Sequence, residues 1–283
     1  MKYQIRTDLV DFYVKNNNLT KLIKIKKFNN IKVLSYKLNK TNAKLLKRKE
    51  GNYKTIEFKR FSSKLCEILY EELNSLYKLN EEDSVLIVGL GNSDITPDAL
   101  GPKVIKKINT LQNRNIYTLI PGVMANTGME SSDIIIAIVK KIKPSLVIVV
   151  DALACESIKR LNHTIQITDT GIHPGSGIGN KRKEINKKVL GVPVIAIGIP
   201  AVIDLGSIIY DSLNNFYKNY CHILKKHNIL LSKGEITGII GNLENYEINV
   251  VLNKEMMVTT KDIDLKILEG SEIIGKAINK FIK

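Results

Sequence analysis

Polar and apolar residues alternate along this 283-residue chain in two different rhythms. Residues 1–18 are mostly polar and end in Asn16-Asn17-Asn18, which predicts an arm. Two short alternating runs, 31–38 and 53–58, read as strands, with a turn over 47–52 between them. Residues 61–79 place Leu65, Ile68, Leu69, Leu73 and Leu76 at helical spacing. From residue 84 the rhythm is strand–helix–strand. The continuous apolar run 85–90 and the run 146–150 predict buried strands, and 115–120, 164–167 and 194–197 read as further strands. Between them, Thr96 and Pro97 suit the N-cap and first position of a helix. Ser131 and Ser132 suit the cap of another, carrying Ile135, Ile138, Val139 and Ile142. Amphipathic stretches at 202–224 and 261–281 complete the pattern. Apolar strands alternating with helices predict an α/β fold, a mostly parallel sheet with helices on both faces. A small, β-containing N-terminal extension precedes it.

Composition narrows the class. The longest apolar runs span about eight residues, short of the roughly 18 a membrane helix needs. The opening MKYQIRTDLVDF has no apolar segment of the kind a secretory signal carries. Three widely spaced cysteines, Cys66, Cys155 and Cys221, without a CxxC pair, fit reduced thiols in a cytoplasm-like compartment. Charge is uneven. Residues 1–60 hold 17 basic side chains against Asp8, Asp11, Glu50 and Glu57, a net of +13 within a total of +15. Such a balance suits an anionic partner. No nucleic-acid-binding motif or Arg cluster accompanies it, so solvated lysine-rich faces are the expectation, with no direct nucleic-acid role and no membrane role.

Candidate chemistry gathers at strand ends. Asp151 closes the run 146–150, and Asp98 follows the run 85–90 by one loop. In a parallel sheet both acids emerge at the carboxyl edge. Two close carboxylates do not easily ionise together, so one keeps a proton and the pair serves as general acid and general base on a shared water. The spacing leaves a second reading open: Asp98 complements a helix dipole and Asp151 caps a turn. The glycine-rich loop after the run 164–167 contains Asp169, Gly171, His173, Gly175, Gly177 and Gly179. His173 is placed either to assist the acids or to join them as a metal ligand. Gly89-Leu-Gly91-Asn-Ser-Asp94 starts like a dinucleotide fingerprint but carries an acid where the third glycine belongs. Asp169-Thr170-Gly171 is a single copy of a motif that pepsin-like enzymes use twice on β-rich lobes. Cys155 has no histidine beside it in sequence.

These segments together resemble the germination proteases of spore-forming bacteria. The resemblance rests on residues 96–102 (TPDALGP), 121–133, Asp151-Ala-Leu-Ala154, the long block 164–184, residues 191–200 and 258–264, and Arg6-Thr-Asp-Leu9. It implies an endopeptidase that starts the degradation of small acid-soluble spore proteins at germination, in the cytoplasm of the forespore or spore core. It implies a fold similar to hydrogenase maturation proteases and an atypical aspartic mechanism with Asp98 and Asp151 as the catalytic pair. No cofactor or metal is implied. His173, Asp169, Gly175 and Gly177 are then candidates for the substrate site. The family's members are made as zymogens and assemble as homotetramers. Residues 1–8 would be a pro-segment cut at Asp8–Leu9, residues 9–60 a basic extension, and residues 61–283 the peptidase core. The alternative is a metal-dependent, maturation-type protease that uses Asp98, Asp151 and His173.

Overall fold

The computed structural model describes residues 5–110, 115–174, 183–226 and 256–283. The chain enters through helix α1 (Val10–Asn16), the hairpin of β1 (Lys24–Phe28) and β2 (Ile31–Leu38), helix α2 (Lys40–Leu46), β3 (Gly51–Phe58) and helix α3 (Ser63–Leu76). It continues through β4 (Val85–Gly89), α4 (Leu100–Ile105), β5 (Ile116–Leu119), α5 (Met124–Thr127), α6 (Ser131–Ile142), β6 (Leu146–Cys155) and β7 (Thr164–Thr168). The last elements are α7 (Lys187–Leu190), β8 (Val194–Asp204), α8 (Leu205–Lys226), β9 (Met257–Val258) and α9 (Ile263–Phe281).

All the strands join one sheet in the order β1-β2-β3-β7-β8-β6-β4-β5, with β9 paired to β8. The parallel part is the central four, β5-β4-β6-β8. From β8 outward to β1 every pairing is antiparallel. The α/β fold is thus a mixed sheet that is parallel in its core and antiparallel toward the N-terminal strands. The N-terminal strands extend this same sheet through β3 and β7. One face packs on α3, α4 and α9 through residues such as Leu69, Leu100 and Ile274; the other packs on α6 through Ile135 and Val139. Both faces of β4 are covered, which explains its unbroken apolar run.

Several local expectations shift. The polar arm is an anchored segment. Leu9, Val10 and Val14 are buried, the last two against Tyr36, Leu38 and Tyr53. Residues 40–46 form α2, and the turn is confined to its end, where Lys47 takes a left-handed φ of 52°. Thr96-Pro97-Asp98 makes one 3-10 turn, and α4 starts only at Leu100. The Ser131 hydroxyl donates to the Gly122 carbonyl instead of capping α6, whose cap position is Glu130. Strands β6 and β8 outrun their apolar cores, reaching Cys155 and Asp204. Asp151 thus lies within β6, not at its end. The strand continues because β8 keeps pairing with it across a bulge at Leu153/Ala154.

Candidate active site

Strand β4 stops one residue early. Its last pairing is Gly89 with Val150, and Leu90 donates a final bond to the Val150 carbonyl at 2.8 Å. From Asp151 onward β6 has no β4 neighbour, and the loop carrying Asp98 folds over that vacated edge. Two glycines permit the close approach. Gly91 takes φ 112°, and a Cβ there would lie 1.9 Å from the Asp98 carbonyl oxygen. At Gly101 a Cβ would lie within 2.6 Å of both the Leu90 and Val150 carbonyl oxygens.

Asp98 and Asp151 consequently line one cavity of about 360 Å³ at the carboxyl edge of the parallel strands, with Asp8, Pro97, Ser131 and Thr259 among its walls. Asp151 is 7% exposed and Asp98 half-buried. Asp98 Oδ2 accepts the backbone N–H of Asn92 at 2.7 Å, and Asp151 Oδ1 accepts that of Ala152 at 2.9 Å. Each carboxylate is thus oriented by a main-chain donor, which favours a fixed geometry over a mobile one.

The third acid in the cavity comes from the N-terminus. The Asp8 N–H donates to the Ala154 carbonyl at 3.0 Å, and the Ala154 N–H donates to Asp8 Oδ2 at 2.9 Å. Gln166 holds the same segment from β7: Nε2 donates to the Asp8 carbonyl at 3.1 Å, and Oε1 accepts the Val10 N–H at 2.8 Å. The Leu9 side chain fills an apolar pocket of Leu153, Cys155, Leu161 and Ile203. Helix α1 is then fixed by charge. Asp11, fully buried, accepts from Arg160 at 2.8 Å, and Arg160 also binds Glu156 at 2.9 Å. Burial pushes the Asp11 carboxyl up, but Arg160 and Lys15 outweigh it and hold it below its ordinary range. Burial works against the Arg160 guanidinium, yet Asp11 and Glu156 raise it further above its usual value.

His173 and Asp169 do not line the acid cavity, although Pro174, next to His173, does. His173 lines a neighbouring cavity of about 350 Å³ with Lys47, Arg48, Lys49 and Glu184; the two cavities share Asp8 and Leu153. Its Nδ1 lies 3.9 Å from Glu184, which Lys49 binds at 2.9 Å. Burial raises the Glu184 carboxyl, but Lys49 leads the effects that bring it below its ordinary range. Asp169 serves the scaffold: its two oxygens accept the backbone and side-chain N–H groups of Asn52 at 2.8 and 2.6 Å, tying β3 to the turn after β7. Gly175 and Gly177 lie outside the described residues. Burial pushes the Cys155 thiol up to about 12, which removes it as a nucleophile near neutral pH. Among the described residues no three His, Cys, Asp or Glu side chains converge as a metal site. Nor is any helix among them long and apolar enough to cross a membrane. Sequence reasoning missed Gln166 and Arg160. A glutamine inside the apolar run Thr-Ile-Gln-Ile-Thr was the available signal, since a buried polar side chain needs a partner.

An α/β fold that brings two carboxylates into one cavity at its carboxyl edge has the parts of a hydrolase. The family model described as germination protease matches residues 13–232. Relatives named germination protease include one from Geobacillus sp. (strain WCH70), 36% identical over 91% of this chain and 84% of its own length. Another, from Priestia megaterium, is 34% identical over 98% of this chain and 93% of its own length. A third, from Bacillus velezensis, is 37% identical over 88% and 82%. Among solved structures, a [NiFe] hydrogenase maturation protease from Thermococcus kodakarensis is similar over 42% of this chain and 74% of its own, with 21% identity and a TM-score of 0.33. The chain belongs to the germination protease family, a family of peptidases, which act on peptide bonds.

Proposed function

We propose that this protein is the endopeptidase that opens the degradation of small acid-soluble spore proteins at germination, with Asp98 and Asp151 as its acid–base pair. In this reading the ionised carboxylate takes a proton from a water held between the two. The water oxygen bonds to the peptide carbonyl carbon, and the protonated carboxyl delivers its proton to the leaving amine as the C–N bond breaks. The observation that carries the reading is the shared cavity, walled by both acids and by a residue of the chain's own N-terminus.

Self-processing belongs to the same proposal. Asp8 and Leu9 sit as an acid–apolar pair beside the catalytic acids, read by Ala154 and Gln166 in the manner of a bound extended peptide. Residues 1–8 are then a pro-segment, and the bond cut is Asp8–Leu9. Burial of Leu9 fixes the new N-terminus in place after the cut. Assembly as a homotetramer completes the proposal. Its support is the half-exposed apolar face of α8, where Phe216 is 70% exposed and stacks on Tyr220. The metal-dependent alternative draws no support from His173, which faces the neighbouring cavity.

N-terminal sequencing after incubation of purified precursor tests this reading. Wild-type protein should come to start at Leu9, and Asp98→Asn should keep its full length. Equal shortening in both would remove self-processing by this pair.

A further inference from the structure

We infer that the outer end of the antiparallel sheet binds the phosphate backbone of duplex nucleic acid. The basic charge that the sequence places in its first sixty residues is not spread evenly over the fold. Strand β1 exposes Lys24, Ile25, Lys26 and Lys27 at the sheet edge. Lys24 and Lys26 point from one face, about 7 Å apart by strand geometry. The hairpin turn that follows borders a cavity of about 630 Å³ lined by Asn29, Asn30, Lys59, Arg60, Ser62 and Lys64, with no carboxylate in its wall. These cations come from three places: the edge strand, the end of β3 and the start of α3. Lys64 reaches β1 directly, with Nζ 5.7 Å from the Phe28 ring centre.

Among the described residues, Lys24, Lys26, Lys59, Arg60 and Lys64 form no ion pair, whereas Lys32 and Lys54, further into the sheet, are taken by Glu57 and Glu72. Lysines on an edge strand commonly guard against edge-to-edge pairing, and that accounts for β1. It does not account for Lys59, Arg60 and Lys64, which lie on other elements beside two asparagines and a serine. Lys, Arg, Asn and Ser are the side chains that contact phosphate and sugar. An acidic protein partner would want an apolar anchor, and the apolar residues of this cavity wall, Phe28 and Ile31, are half-buried and buried, leaving Ile25 on β1 as the exposed one. A single strand would want exposed aromatic platforms, and Phe28 is half-buried beneath Lys64. Duplex backbone is the remaining match. The surface shares no lining residue with the acid cavity, so the peptidase can be held on nucleic acid with its cleft open.

The test is fluorescence anisotropy of a labelled mixed-sequence duplex of about 30 base pairs with the full-length protein across a salt series. Wild type should bind, with an affinity that falls steeply as salt rises. A Lys59→Ser/Arg60→Ser/Lys64→Ser variant should bind at least about tenfold more weakly and lose about 2 to 3 from the slope of log K against log salt, near 0.9 for each phosphate contact. Its melting temperature and peptide cleavage should match wild type. Lys140→Ser/Lys141→Ser, on α6, should bind like wild type. Unchanged binding in the triple variant, no binding by wild type at 50 mM salt (roughly the low end where such contacts are strongest), or tighter binding of polyglutamate or of the single strand would each overturn the inference.

Discussion

In the parallel half of the sheet, β4, β6 and β8 are buried almost throughout and carry no lysine. In the antiparallel half, β1 alone exposes three. The two halves solve different problems with one continuous ladder. The parallel strands bury both faces, so their ends can hold two carboxylates in fixed positions while the loops above them vary. The N-terminal sixty residues, which include three of the antiparallel strands, return to the same edge at Asp8 and carry +13 of the net +15. The two halves meet at Asp8, Ala154 and Gln166, beside the cavity that Asp98 and Asp151 line. The comparison teaches that the N-terminal half supplies part of that cavity's wall, although the candidate acids come wholly from the other.

The strongest way to break that junction is at Arg160. Arg160→Leu leaves Asp11 charged and buried without its guanidinium. Loss of one partner of a buried pair costs about 3–5 kcal/mol. Chemical denaturation should register that loss, and limited proteolysis should cut near α1 while the parallel core stays intact. Equal protease resistance in variant and wild type would mean that α1 is held by its other contacts, the apolar ones and those of Lys15 and Gln166.

Next comes the parallel side of the junction. Gly101→Ala pushes a methyl group against main-chain atoms of Leu90 and Val150 that have little room to move. Overpacking of this kind costs about 1–3 kcal/mol. The displaced loop carries Asp98, so peptide cleavage should fall further than stability does, by roughly a hundredfold for a misplacement near 1 Å. An activity loss no greater than the stability loss would detach the loop's packing from the chemistry.

How much of this was legible beforehand depended on range. The apolar runs marked β4, β6 and β8, because a strand packed on both faces by apolar neighbours reads as an apolar run. The meeting of Asp98 and Asp151 in one cavity was legible because the carboxyl edge follows from strand direction. The N-terminal segment was misread as an arm because its anchors are long-range. Leu9 is buried by residues more than 140 positions away, and Asp11 needs Arg160. Strand length was misread too, since the extension of β6 past Val150 depends on its pairing with β8 and not on its own pattern. The tie from Asp169 to Asn52, 117 positions earlier, was likewise out of reach of any local pattern.

Gln166 tests the junction more gently. Gln166→Leu removes the acceptor for the Val10 N–H and the donor to the Asp8 carbonyl without burying a charge. One net hydrogen bond is about 1 kcal/mol, so self-processing should slow by roughly tenfold or more. Identical processing rates in variant and wild type would show that the clamp plays no part.

The smallest expected effect is one of pH. Asp11 has a folded value held below its ordinary 3.8. A depressed carboxylate contributes stability that is fully present above the unfolded value and is lost as pH falls through the folded one. The α1 anchor should therefore be unchanged between pH 7 and 5 and weaken only below about 4. Hydrogen exchange of α1 amides across that range would check it. Loosening already at pH 6 would point to a different group.

The central claim is that Asp98 and Asp151 hydrolyse peptide bonds as an acid–base pair. Its most direct measurement is the initial rate of cleavage of a purified small acid-soluble spore protein by protein produced with Leu9 as its first residue, so that no variant depends on self-processing. Wild type, wild type with excess chelator, and Asp151→Asn should be compared after circular dichroism has shown all three to be folded. Full activity in the chelated wild type and a drop of at least about a hundredfold in the variant, the lower end for a general acid–base group, is the expected result. A folded Asp151→Asn protein that cleaves at the wild-type rate would contradict the account.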